Sequence, residues 1–314
     1  YWKETGDVSV WKGIAQDAVV MNLDDLLCVG IYDNIIFNST IDRNKNLITG
    51  EVLEQVINGT QEFFDLMKTF GINIHYLGGE TADVGDVVRT IAVNGTMTAR
   101  WPKSKIISNE KIKPGNVIVG LASFGKSTYE KTDNSGIGSN GLTSARHDIL
   151  DKTYAQNFKE SYDTDLADEI VYIGKHKISE ARGLLSPTRT FAPLIKNILE
   201  NNFEKVDGLI HCSGGGQTKC LKYISENVRV VKDNLFSPPE IFKKIQEASK
   251  ADNREMYQVF NMGCRMEIYT DAEFAKKVLL LASSFNIDAQ IIGRVVANDK
   301  KELVIDLKEE RLLC

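Results

Sequence analysis

The 314-residue sequence is defined first by what it lacks. No apolar run comes near the roughly 20 residues that a membrane-spanning helix requires. Tyr1-Trp2-Lys3-Glu4-Thr5 has no charged segment leading into an apolar one, so nothing reads as a secretory signal. An initiator Met is also missing, and the sequence reads as a fragment. There is no excess of basic residues: the formal net charge is −5, which argues against a general nucleic-acid binder. The cysteines are Cys28, Cys212, Cys220, Cys264 and Cys314. Their number is odd and no two have CxxC spacing, which disfavours zinc and a disulfide framework and fits reduced thiols in a cytoplasm. Without a secretory signal, the Asn-x-Ser/Thr triplets at Asn38, Asn58 and Asn94 are chance matches. Internal repeats and low-complexity tracts are absent. What is present is ordinary globular usage, 42% hydrophobic and 26% charged, over a length that fits two domains.

Apolar spacing predicts a helix from Val10 to Leu27, with Asp24 and Asp25 near its end. Ile35-Ile36-Phe37 reads as a short strand. A second helix opens at Thr49-Gly50-Glu51, where Thr can cap the free amides, and runs to Met67 before Gly71. Ile72–Leu77 alternates as a strand into Gly78-Gly79-Glu80-Thr81, and Val87–Thr98 is another β-branched run. After a turn at Lys113-Pro114-Gly115-Asn116 comes the strand Val117–Gly120, and Gly125 to Gly141 forms a long loop. Further helices are expected at Pro187–Glu200, Pro238–Ala248 and Ala272–Phe285. Further strands are expected at Gly208–His211, Val228–Val231, Arg265–Tyr269, Ala289–Val295 and Leu303–Asp306. Alternating helices and strands imply an α/β or α+β fold, divided near Ile112 into domains 1–112 and 113–314.

Four motifs carry candidate chemistry. Gly120-Leu121-Ala122-Ser123-Phe124-Gly125-Lys126-Ser127 matches the P-loop pattern after a strand. A true P-loop passes straight into a helix whose amides hold phosphate, and the turn-rich Thr128–Gly136 is a poor helix. A Gly/Ser loop meeting phosphate by another geometry is the better reading. In Asn22-Leu23-Asp24-Asp25 the two carboxylates point in different directions, so one can face a site, such as magnesium with ATP, while the other faces solvent. The plain reading is a solvated helix end. Gly78-Gly79-Glu80 allows close backbone approach to a ligand with an acid at a strand's C-terminal end, or is a tight turn with an exposed acid. His211-Cys212-Ser213-Gly214-Gly215-Gly216 runs from a strand into three glycines before a helical stretch, a setting for anion binding. His211 either contacts a reacting group or simply packs.

Taken in order, Asp25 with its Leu26-Leu27, Gly78-Gly79-Glu80-Thr81-Ala82, Gly138-Ser139-Asn140-Gly141, Ser186-Pro187-Thr188-Arg189, the His211 glycine segment and Glu255-Met256-Tyr257…Phe260-Asn261-Met262-Gly263 resemble phosphoribosylformylglycinamidine cyclo-ligase, the aminoimidazole ribonucleotide synthetase family. The resemblance covers essentially the whole chain, and the long loop looks most like a Bacteroidetes-type branch. It implies a two-domain α/β (α+β) fold whose N-terminal, ATP-binding domain joins a partner's strands in a homodimeric sheet or barrel. It also implies a cytoplasmic ligase of purine biosynthesis, binding no nucleic acid or membrane. ATP, with Mg2+, would activate the formamide oxygen of formylglycinamidine ribonucleotide so that the ring closes with loss of phosphate. Carried over by position, His211, Asp25 and Glu80 would be catalytic, with Asp25 and Glu80 holding the metal. Gly78, Gly79, Ser139, Asn140, Gly141, Gly214, Gly215 and Gly216 would border ATP and phosphate. Thr188 and Arg189 would lie near the substrate.

The sequence departs from that pattern in three places. The family carries an Asp-Gly-x-Gly-Thr-Lys segment ahead of the place where this sequence begins. On that ground the chain is expected to be N-terminally truncated and inactive, with the apolar stripe of its first long helix uncovered. Gly138 stands where many members have His, and Cys264-Arg265 stands where many have a small or aliphatic residue and then Gly. The alternatives are another ATP-using member of the superfamily, of the selenophosphate synthetase or thiamine monophosphate kinase type, and a non-catalytic fragment that only dimerises.

Overall fold

The computed structural model describes residues 1–162, 174–178 and 181–314. Two mixed β-sheets with helices against them, and a short ladder pairing Phe124–Gly125 with Asn134–Ser135, make up the described fold. The first long helix, α1 (Trp11–Cys28), leads through a turn to β1 (Ile35–Arg43). Helix α2 (Gly50–Thr69) follows, then β2 (Ile74–Asp83) and β3 (Ile91–Ala99). These strands form a three-stranded sheet in the order β2-β1-β3, with β2 parallel and β3 antiparallel to β1. Along β1, Ile35, Phe37, Ser39 and Ile41 are buried while Ile36, Asn38 and Thr40 are exposed. This period-2 alternation belongs to a sheet covered on one face. The covered face meets α2, which buries Val52, Val56, Phe63, Phe64 and Met67 at helical spacing.

The larger sheet is built from β4 (Val117–Ala122), β5 (Val206–His211), β6 (Val228–Lys232), β7 (Cys264–Thr270), β8 (Ala289–Ala297), β9 (Glu302–Asp306) and β10 (Arg311–Leu313). The order is β10-β9-β6-β8-β4-β7-β5, with only β6 and β9 parallel. Among the helices that accompany it are α3 (Leu142–Ile149), α4 (Ala192–Asn202), α5 (Glu240–Ser249), α6 (Asn253–Val259) and α7 (Ala272–Ser284). All seven residues of β7 are buried, including Arg265 and Glu267, so this strand is covered on both faces. One apolar cluster runs from α1, α2 and β1 through α4 to Val119, Leu121, Leu209, Met266 and Ile268 of the larger sheet. The small sheet and one face of the large one therefore share a core.

Several expectations need correction. Thr49 precedes α2 but its side chain makes no capping hydrogen bond. Gly78-Gly79-Glu80-Thr81 is not a turn, because β2 continues through it to Asp83. Close approach is required there, but to the chain itself: a Cβ on Gly79 would lie 2.0 Å from the Ser39 carbonyl oxygen, beside a bulge in the β1–β2 register. Glu80 pairs across from Thr40 and thus sits on the open face of the small sheet. The stripe of α1 is covered as well. Ala15, Ala18, Val19, Val20, Leu23 and Leu27 are buried because the helix packs against α2, β3, β5 and α4 together.

Candidate active site

A cleft of about 150 Å³ opens where α1, the end of β5, the start of β7 and the loop before α3 converge. Its lining includes Asp25, Ser139, Asn140, His211, Ser213 and Arg265. The C-terminal half of α1 delivers the two adjacent carboxylates on different sides. Asp24 is fully buried, where its Oδ1 accepts from the Thr190 hydroxyl at 2.6 Å and its Oδ2 has no partner. Burial pushes its carboxyl up to about 7, against the pull of Arg265. Asp25 projects into the cleft with its side chain 69% exposed, and its Oδ1 lies 3.0 Å from His211 Nδ1.

His211 is buried at the end of β5, and both of its ring nitrogens are engaged. Arg265 Nη2 donates to Nε2 at 2.7 Å, and since a guanidinium cannot accept, the imidazole proton sits on Nδ1 and points at Asp25. Burial, with the adjacent Arg265 charge, pushes the imidazole down to about 4, so it is neutral. Partial burial works against the Asp25 charge, but the His211 hydrogen bond and the charges of Lys219 and Arg265 hold its carboxyl below the usual range. Arg265 is itself buried and also donates to the Arg189 carbonyl at 3.0 Å. Burial disfavours its charge, and Asp24, Asp17 and Asp25 oppose that cost. At the rim Lys219 reaches Ser213 Oγ at 3.3 Å.

The loops that frame the cleft are tied down from behind. Asn261 Nδ2 donates to the carbonyls of Gly136 and Ile137, and its Oδ1 accepts from Ser123 Oγ and the Gly263 amide. Asn140 is held through Nδ2 to the Val259 carbonyl at 2.8 Å. Deeper still, Lys232 and Glu267 form an enclosed ion pair, with Cys212 Sγ and the Tyr269 hydroxyl donating to the same carboxylate. This frame rigidifies the strand end that carries His211.

Family models match both halves of the chain: the AIR synthase related protein N-terminal domain over residues 4–101, and its C-terminal domain over residues 113–306. The chain belongs to the AIR synthase family. It is 34% identical to the phosphoribosylformylglycinamidine cyclo-ligase of Methanocaldococcus jannaschii over 89% of its own length and 71% of the relative's. It is 32% identical to the enzyme of the same name from Methanococcus vannielii, over 95% and 74%. A crystal structure of the hydrogenase maturation protein HypE in complex with ATP shares the fold, with a TM-score of 0.62 at 14% identity, over 95% of this chain and 78% of that one.

Within this AIR synthase fold, the structure brings Asp25, Ser139, Asn140, His211 and Gly214 into one cleft. The other residues singled out from the sequence lie elsewhere in the chain. Gly78, Gly79 and Glu80 are on β2, with Glu80 on the open sheet face. Gly141 starts α3 with φ of 79°, and a Cβ there would strike the Phe260 ring at 2.5 Å. Gly215 turns the chain, and Gly216 packs against the Tyr257 and Phe260 carbonyls, where a Cβ would come within 2.5 Å. The helical stretch beyond is 3-10 rather than α, and the amides of Ser213 and Gly216 are committed to the His211 and Ser213 carbonyls. An anion in the cleft would thus meet Gly214 rather than the whole glycine run.

Thr188 is buried, its amide bound by Asp17 Oδ1 and its carbonyl by Gln16. Arg189 is enclosed too: its five N–H groups go to Glu130 and to the carbonyls of Ala122, Phe124 and Gly125. Neither faces the cleft; Arg189 clamps the 122–130 loop. No helix follows Lys126, so the P-loop pattern there lacks its structural context. Met21, Ser213 and Asn261 of the lining were not singled out as site residues. Ser213 was signalled only by its place before the glycines, and Met21 by its position one helical turn before Asp25.

Proposed function

We propose, in place of the inactivity expected from the sequence pattern, that the chain closes the imidazole ring of aminoimidazole ribonucleotide from formylglycinamidine ribonucleotide, using ATP, in purine biosynthesis. The observation that supports this most directly is the cleft, where one open carboxylate, Asp25, faces a glycine loop with Lys219 at the rim, across a space suited to a phosphate-bearing ligand. In this reaction the formamide oxygen takes the γ-phosphoryl group, the amidine nitrogen attacks the activated carbon, and the C–O bond breaks as phosphate leaves. Such chemistry asks mainly for positioning and charge neutralisation.

The donor set fits a magnesium ion that arrives with its nucleotide. Among the described residues no group of three His, Cys, Asp or Glu side chains assembles to hold a metal by itself. Mg2+ usually takes one or two carboxylates plus substrate phosphates and water. Asp25, which lines the cleft with Oδ1 committed to His211, would supply that carboxylate, and the ion would neutralise phosphate charge. His211, with no nitrogen to spare, acts in this reading as the group that aims Asp25. Gly214, Ser139 and Asn140 border the anionic end of the ligand, and Lys219 at the rim adds a positive charge.

A cleft of about 150 Å³ is smaller than the roughly 300 Å³ or more typical of a whole small-molecule site. We infer separately that a second copy docks on the open face of β1–β3, where Leu77 is 64% exposed and Glu80 stands beside Thr40. Two units divided near Ile112, working as a homodimer in the cytoplasm, complete the proposal. The test is a substrate panel read by ADP release, with formylglycinamidine ribonucleotide, thiamine monophosphate and selenide each offered with Mg2+-ATP. Turnover with the first alone is expected. Stimulation by thiamine monophosphate alone would overturn the assignment.

A further inference from the structure

The cation at the back of the cleft is the feature that the proposed reaction leaves unexplained. Arg265 is a fully charged side chain on a strand buried on both faces, and placing it there is costly unless its hydrogen bonds are specific. Two of those bonds are to the Arg189 carbonyl and to His211 Nε2. Its path runs past Gly138: a Cβ on that residue would lie 3.7 Å from Arg265 Nε and 3.8 Å from Cδ. A methyl group at position 138 would thus touch the Arg265 side chain at ordinary contact distance, and a longer side chain directed the same way would meet it. The two positions that stood apart in the sequence, a glycine in the loop and an arginine in the strand, are neighbours here.

We infer that Arg265 is a positioning residue: entering through the space beside Gly138, it fixes His211 as the Nδ1–H tautomer and so aims the Asp25 carboxylate into the cleft. The inference rests on the reading of Asp25 given above and deepens it. An imidazole whose Nε2 had no donor would be free to carry its proton there. Nδ1 would then present a lone pair to a carboxylate, which repels instead of holding it. The guanidinium excludes that state because it can only donate. It is also anchored at a second point, the Arg189 carbonyl, so its orientation does not depend on His211. Arg189 in turn is clamped by Glu130, and the chain Glu130–Arg189–Arg265–His211–Asp25 is continuous from the loop at 130 to the cleft.

The test reads the imidazole directly. Long-range proton–nitrogen NMR of uniformly 15N-labelled protein at a single pH near 7 reports which ring nitrogen carries the proton. The chain has four histidines, and His211→Gln identifies the relevant signal. The wild type should show the Nδ1–H form. Arg265→Met should show a mixture and lower kcat by roughly 10- to 100-fold, the usual cost of losing a partner that orients a ligand side chain, with a smaller change in the KM for ATP. Arg265→Lys keeps a donor and the charge beside Asp24, so it should fold even if the Met variant does not and should restore part of both readouts. An Nε2–H signal in the wild type overturns the inference. So does a folded Arg265→Met protein with the wild-type tautomer and kcat. If the wild type has no cyclo-ligase turnover, the function proposed above has failed, and the tautomer comparison still decides the role of Arg265.

Discussion

Two buried groups beside the cleft should give stability opposite dependences on pH. Asp24, ordinarily at 3.8, is pushed up to about 7, mainly by burial. His211, ordinarily at 6.5, is pushed down to about 4, mainly by burial and then by Arg265. Asp24 therefore contributes stability that is whole below its unfolded pKa and is lost as pH rises through the folded value. His211 contributes stability that is whole above its unfolded pKa and is lost as pH falls through the folded value. Between about pH 4.5 and 6, Asp24 holds a proton only in the folded chain and His211 only in the unfolded one. Their slopes are then about −1.4 and about +1.4 kcal/mol per pH unit and largely cancel in the wild type. Asp24→Asn keeps an oxygen for the Thr190 hydroxyl and the Phe191 amide and removes the first slope. Its stability relative to wild type should rise by about 1.4 kcal/mol per pH unit across that window, and that of His211→Gln should fall by about as much. Urea unfolding at four pH values, compared variant by variant, measures both. An Asp24→Asn difference that stays flat would mean that Arg265 keeps Asp24 ionised in the folded chain, and the reasoning from burial would be wrong.

Asp25→Asn should keep the fold and lower turnover by roughly 100-fold or more, because the amide still accepts from His211 but no longer offers charge to magnesium. A wild-type rate across a magnesium titration would reduce Asp25 to a helix-end charge. Lys232→Met should destabilise by about 3–5 kcal/mol, since it strands the enclosed Glu267 carboxylate. Burial opposes the Lys232 charge but the Glu267 carboxylate outweighs it and raises the Lys232 pKa. The corresponding drop in melting temperature for a chain of this size is about 5–8 °C. Replacing both partners with Met should recover most of that loss in the same thermal melt, and a double variant no better than the single one would refute the stranded-charge account.

The long elements were legible because local pattern alone specifies them. Apolar spacing along Val10–Leu27 and Thr49–Met67, and the apolar runs expected as strands at 117–120, 228–231 and 289–295, each fell on an observed helix or strand. Boundaries moved where tertiary pairing outweighed local propensity. β2 runs through Gly78-Gly79 because Ser39 of β1 lies across the strand, leaving no room for a side chain at Gly79. The short helix α6 was not anticipated, although Asp252 caps it through the Glu255 amide. The Asp252-to-Glu255 spacing that marks such a start was present in the sequence.

The candidate site divides in the same way. Asp25 and His211 stood out because a carboxylate pair and a strand running into glycines are one-dimensional patterns with chemical meaning, whereas Asn140 came only from the family resemblance of Gly138-Ser139-Asn140-Gly141. Which side each residue faces is not one-dimensional. Asp24 and Asp25 are adjacent, yet rotation about the helix axis buries one and opens the other. Arg189 looked like a substrate contact, but Glu130 and three loop carbonyls use every donor it has. Glu80 shares a motif with the glycines that precede it, yet it stands on the open face of a sheet whose other face is covered. Arg265 becomes intelligible only beside Gly138, 127 positions away in sequence and in contact range in space. The sequence by itself determined the helices and strands, the family and the types of group available for chemistry, because these follow from periodicity and residue identity. Tertiary structure decided burial, tautomer and which charges meet, because each depends on what packs against a residue from a distant part of the chain.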